Sequence, residues 1–177
     1  QFLTASHDSR ILLWNLKSLE LEQTLLNKGN QVDIDCACYS PDGKMIVSGG
    51  KEGKVTLWKL QEKVKGKTKS ISFNFTKKNI KAIAFSPNSK KIAFAFESEV
   101  IIITLSSEGR KTFDVKETIY DLCFSEDNSQ VITCTDKGNV YFHKTSKFGR
   151  IFSKFYAFNV FFKEGKDAGN DKWHHSN

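Results

Sequence analysis

With 177 residues, 39% of them hydrophobic and 12% aromatic, the chain is long and apolar enough to bury a core, which excludes a disordered polypeptide. Its net charge is +7, and no apolar run reaches the ~18 residues of a membrane-spanning helix. The cysteines at 36, 38, 123 and 134 form no C-x-x-C pair and meet no histidine at metal spacing, so they predict small, buried, reduced thiols.

In chain order, alternation and β-branching bounded by Gly, Asn, Asp and Ser predict strands throughout. The first segment offers Phe2 to Ser6, Ile11 to Leu16 and Glu22 to Leu26. The second offers Ile34 to Ser40, Met45 to Gly49, Lys54 to Leu60 and Ser70 to Phe75, with a turn at Pro41-Asp42-Gly43. Pro presets φ there, while Asp and Gly tolerate the turn conformation. The third repeats the order as Lys81 to Ser86, Lys91 to Phe96, Val100 to Leu105 and Lys111 to Val115. The fourth gives Ile119 to Ser125, Gln130 to Thr135, Val140 to Lys144 and a candidate strand over Arg150 to Phe155.

These segments are copies of one unit. A small or polar residue is followed ten positions on by a bulky one at Thr4/Trp14, Ser48/Trp58, Ala93/Ile103 and Thr133/His143, with spacings of 44, 45 and 40 residues. A second landmark keeps the same beat: Tyr39-Ser40-Pro41-Asp42-Gly43, Phe85-Ser86-Pro87-Asn88-Ser89 and Phe124-Ser125-Glu126-Asp127-Asn128. Self-similarity at a period in the 40s means a supersecondary unit stacked on copies of itself.

The stretches Asp8 to Asn15 and Glu52 to Lys59 resemble the closing signature of WD repeats, and the Tyr39 and Phe85 turns are similar to that family's inner hairpin. The resemblance covers roughly residues 1 to 155. It implies an all-β fold, a partial β-propeller of about three and a half four-stranded antiparallel blades. The expected segment runs over 1–162, with an incomplete blade at 1–28 and blades at 29–76, 77–116 and 117–162. A polar tail at 163–177 is read as disordered. The opening Gly-His pair is absent, Ile103 and His143 stand where Trp is usual, and the turn Asp becomes Glu52, Glu97 and Lys137. The internal polar network cannot be complete in any copy, so apolar packing between sheets is expected to hold the blades. Three and a half blades cannot close a ring. The reading is therefore a fragment of a longer propeller, or else an oligomer that completes the ring between chains.

Charge is unevenly spread. Between Gln61 and Lys91 stand nine lysines against the single acid Glu62, a net +8 within a chain total of +7. In a propeller the loop after the third strand and the loop after the first emerge on one face, so Lys63, Lys65, Lys67, Lys69, Lys90 and Lys91 are expected to converge. A patch of this kind attracts acidic proteins, RNA or anionic lipid by long-range field. Arginine is nearly absent there, and lysine is the poorer residue for bidentate phosphate recognition. On the opposite face the candidates are Lys51, Glu52 and Lys77.

Catalytic chemistry finds no constellation. His7 sits beside Asp8 in a turn without a nucleophile, His143 reads as a packed strand residue, and no phosphate loop or dinucleotide fingerprint occurs. No catalytic, cofactor-binding or metal-binding residue is assigned, and no cofactor or small-molecule substrate is expected. The aromatics Phe148, Phe152, Phe155, Tyr156, Phe158, Phe161 and Phe162 read as an outer strand, or as a patch for a partner. The resulting expectation is a non-catalytic, intracellular scaffold for other proteins in a larger assembly. The alternative is a basic propeller that binds RNA or anionic lipid through residues 61–91.

Overall fold

The structure, a computed structural model, describes residues 1–26, 33–64, 67–75, 78–107 and 109–145. Strands β1 (Phe2–Ala5), β2 (Arg10–Trp14) and β3 (Leu21–Leu26) form sheet one, in that order. Sheet two is β4 (Ile34–Tyr39), β5 (Met45–Gly50), β6 (Lys54–Val64) and β7 (Lys67–Asn74). Sheet three is β8 (Ala82–Phe85), β9 (Lys91–Ala95), β10 (Glu99–Thr104) and β11 (Arg110–Asp114). Sheet four is β12 (Ile119–Phe124), β13 (Gln130–Thr135) and β14 (Val140–Lys144). Every pairing is antiparallel and joins neighbours in sequence, so each sheet is a meander. The candidate strand over Arg150 to Phe155, the aromatic run and the tail lie outside the described residues, as do Lys65 and Lys77.

The sheets stand side by side through their first strands, β1 against β4, β4 against β8, and β8 against β12. This is the arrangement of a partial β-propeller. Alternation along each strand gives every sheet two apolar faces, and each seam between sheets is filled from both sides. Ile11, Leu13 and Leu25 meet Ile34, Ile46 and Trp58 between sheets one and two. Val47, Val55 and Leu57 meet Ile92, Phe94 and Ile101 between sheets two and three. Ala93, Ala95, Val100 and Ile102 meet Ile119, Leu122 and Val131 between sheets three and four. Each buried Val, Leu, Ile or Phe among them contributes about 1.5–3 kcal/mol.

One leg of the polar network survives beside this packing. The Trp14 indole N–H donates to Thr4 Oγ1 at 3.1 Å, Trp58 donates to Ser48 Oγ at 3.3 Å, and His143 Nε2 lies 3.1 Å from Thr133 Oγ1. Sheet three differs, and the ten-residue spacing misplaces its small residue. Ile46 pairs with Trp58 and Val131 with His143, each twelve residues on, whereas Ile92 pairs with Ile103 eleven residues on. The β9–β10 turn is one residue shorter, so Phe94, not Ala93, is the equivalent of Ser48. Phe94 is fully buried, and its ring lies 4.9 Å from that of Phe75. An aromatic ring there substitutes for the serine–tryptophan pair.

A second difference lies in sheet two. The sequence predicts a loop after Leu60, but β6 runs to Val64 and β7 starts at Lys67. The hairpin bulges between Lys59 and Lys63 and then resumes pairing, Lys63 opposite Thr68 and Val64 opposite Lys67. Glu62 lies in the bulge and accepts from Lys59 at 2.9 Å and from Lys69 at 2.7 Å. Opposite charges around the irregular stretch favour continuing the ladder over releasing it as a loop.

Candidate functional site

At one end of the sheets the turns β4–β5, β8–β9 and β12–β13 share a construction dictated by their sequence. In each the serine Oγ accepts the N–H five residues on, from Met45 at 2.9 Å, Lys91 at 2.8 Å and Gln130 at 2.9 Å. It also meets the side chain two residues on, Asp42 at 2.6 Å, Asn88 at 2.8 Å and Asp127 at 2.6 Å. The fourth residue takes positive φ: Gly43 at 68°, Ser89 at 56° and Asn128 at 62°. Glycine adopts that region freely, and Asn does so at small cost.

The left-handed residue then links the turns. The Asp42 N–H donates to Ser89 Oγ at 3.2 Å, and the Asn88 N–H donates to Asn128 Oδ1 at 2.9 Å. Three turns from three sheets are thereby held as one face. The hydrogen bonds to Asp42 and Asp127 hold both carboxyls below the usual range, that of Asp127 at about 2.

The β6–β7 hairpin and the β10–β11 loop emerge at the same end as these turns. Lys63 and Lys67 lie on the hairpin strands. Lys90 is exposed on the β8–β9 turn, its N–H donating to Asn88 Oδ1 at 3.1 Å. Lys91 is directed away from the open face. It is half-buried in the seam between sheets three and four and donates to Thr145 Oγ1 at 2.8 Å. Burial lowers its pKa, and Lys111 lowers it further. Lys111 enters the same seam from β11, its ammonium 3.4 Å from the Lys144 carbonyl. Lys111, Lys144 and Thr145 escaped the sequence reading because they come from separate strands. The accessible signal was Lys91 and Thr145 at repeat positions held elsewhere by Met45 and Leu105.

At the opposite end the β5–β6 turn carries Lys51, ion-paired with Asp33, and Glu52, which meets Lys54 at 3.3 Å. Glu52 takes φ 58°, and its N–H donates to Asn79 Oδ1 at 3.2 Å. His7 reaches from the β1–β2 turn to Asp35 of sheet two at 3.1 Å. Glu117 accepts from Thr135 at 2.7 Å and from Asn139 at 3.0 Å, and these bonds hold its carboxyl below the usual range. His7–Asp35 and Glu52–Asn79 tie neighbouring sheets at this end, and the other pairs close within one sheet.

The Cys36 and Cys38 thiols are poor nucleophiles in this setting. Burial pushes Cys36 up to about 12 and Cys38 to about 11. Cys123, expected to be buried, is exposed on the far side of sheet four. Burial also lowers His143 to about 4, so its ring is neutral at neutral pH. Among the described residues no group of three or more His, Cys, Asp or Glu is placed to hold a metal ion. No helix among them is long and apolar enough to cross a membrane.

The family described as WD domain, G-beta repeat matches residues 20–59 and 108–144. Among similar proteins, small ribosomal subunit protein RACK1 of Neurospora crassa is 30% identical over 108 residues, 61% of this chain and 32% of its own length. Small ribosomal subunit protein RACK1y of Oryza sativa subsp. japonica is 28% identical over 158 residues, 83% of this chain and 44% of its own. The ribosome biogenesis protein WDR12 homolog of Drosophila mojavensis is 21% identical over 155 residues, 79% of this chain and 37% of its own. The chain thus spans less than half of the length of these relatives, from 32% to 44%.

Proposed function

From a chain of degenerate WD repeats folded as blades of a partial β-propeller, we propose a non-catalytic platform that holds other proteins within a larger intracellular assembly. The observation that carries this reading is the linked turn face. Hydrogen bonds from Asp42 to Ser89 and from Asn88 to Asn128 fix three turns relative to one another, so side chains borne there keep their spacing. A rigid array of variable loop residues is what selects a macromolecular partner without performing chemistry. The relatives' names, a small ribosomal subunit protein and a ribosome biogenesis protein, support a role inside a multicomponent particle.

On this reading Lys63, Lys65, Lys67 and Lys90 present one interaction face, with Lys91 set into the seam beside it, and Lys51, Glu52 and Lys77 contribute to the other. The turn face is the better candidate, because Lys51 and Glu52 already have ion-pair partners of their own. Reversing charge at Lys63, Lys65, Lys67 and Lys90 to Glu tests the proposal, with nuclease-treated affinity purification as the readout. A defined set of proteins should be depleted, with circular dichroism unchanged. Retention of the whole set, or a set that disappears with nuclease alone, refutes the platform.

A further inference from the structure

The seams differ in chemistry at the turn end. Between sheets two and three that end is closed by Met45 and Leu105, both packed on the apolar cluster. The repeat places Lys91 and Thr145 at the same positions one seam along. Met45 and Lys91 each follow their turn serine by five residues, and Leu105 and Thr145 each donate a backbone N–H to the residue before the second strand, Lys90 and Ser129. Thr145 is buried and donates to the Asn128 carbonyl at 2.7 Å while accepting from Lys91. An ammonium has three N–H donors. Among the described residues Thr145 takes one, and no carboxylate lies within ion-pair reach of Lys91.

Cations also gather around it. Lys111 stands on the same side of sheet three and reaches the Lys144 carbonyl, while Lys90 is exposed on the adjoining turn. A half-buried ammonium among like charges is unfavourable alone and is relieved by an anion. We propose that the seam between sheets three and four seats a carboxylate from an acidic segment of a partner protein, with Lys91 as the inner contact and Lys90 and Lys111 at the rim. This rests on the platform reading and gives its partner a chemistry. Nucleic acid fits less well: among the described residues Phe113 is the ring beside Lys111 in this seam, and that ammonium lies 5.8 Å over its face. A base has to displace that ammonium to stack on the ring.

The test uses a fluorescein-labelled hexaglutamate peptide and the full chain at low salt. The Lys91→Met/Thr145→Leu double variant restores the apolar pair found in the neighbouring seam, and Lys17→Gln on sheet one is the charge control. Anisotropy should show about a fivefold loss of affinity for the double variant and less than about twofold for the control. Binding to the unsubstituted chain should vanish near 0.5 M salt, where screening is nearly complete. If the double variant fails to fold, Lys111→Gln is expected to lose about threefold. Equal losses in seam and control variants overturn the proposal, as does tighter binding of polyuridine RNA that the same variant abolishes. The cellular protein set depends on Lys63, Lys65, Lys67 and Lys90, so its survival beside a negative peptide result removes the seam assignment and leaves the platform standing.

Discussion

Single residues carry two measurable consequences. His143 occupies the place of a repeat tryptophan, and burial lowers its folded pKa to about 4, against about 6.5 when unfolded. The unfolded state therefore binds the extra proton first. Stability is complete above about pH 6.5 and falls as pH drops toward 4, by about 3 kcal/mol at most. Urea denaturation across that window should show the slope, and His143→Trp, which recreates the Trp58–Ser48 geometry with Thr133, should flatten it. A slope unchanged in the variant assigns the effect to other groups. Ser86 is fully buried, and its hydroxyl accepts from the Lys91 N–H while meeting the Asn88 side chain. Ser86→Ala should cost about 1–3 kcal/mol by denaturant titration, because the Lys91 N–H loses its acceptor inside the turn.

At the scale of elements, a one-residue deletion changes what a sheet can be made of. The shortened β9–β10 hairpin shifts the second strand against the third, and Phe94 fills the space that a serine and a tryptophan share in sheet two. Truncating it to Ala should cost about 3–5 kcal/mol, since it is fully buried between two sheets. Hydrogen exchange gives the sharper check. Amides of β5 and β9 should lose protection together, because their side chains share one seam, while those of β2 should change least. Uniform loss of protection along the chain argues against seam-by-seam coupling. The β6–β7 hairpin teaches a related lesson. Its lysine-rich stretch has the composition of a loop, yet a glutamate between two lysines lets the ladder resume beyond a bulge.

At the scale of the whole molecule, each apolar cluster among the described residues lies between two neighbouring sheets. Most of this was legible in advance, because period-two alternation and turn chemistry act locally. Serine, a turn residue and a left-handed residue at fixed offsets specify a hairpin wherever they occur, and their recurrence fixed both the strand order and the stacking. The site was legible only in part. Lys90 and the hairpin lysines were read from a run of charge, but a run does not say where each ammonium points. Lys91 and Lys90 are adjacent in the chain, yet alternation sends one into a seam and leaves the other in solvent. Lys111 came beside Lys91 only when β11 joined β10 and β9 in one sheet, and Thr145 only when two sheets packed. The local pattern of apolar and turn residues determined the blades, since those interactions reach a few positions along the strand. Tertiary packing alone decided which charges were buried together, because that depends on the distance between sheets and not on spacing in the chain.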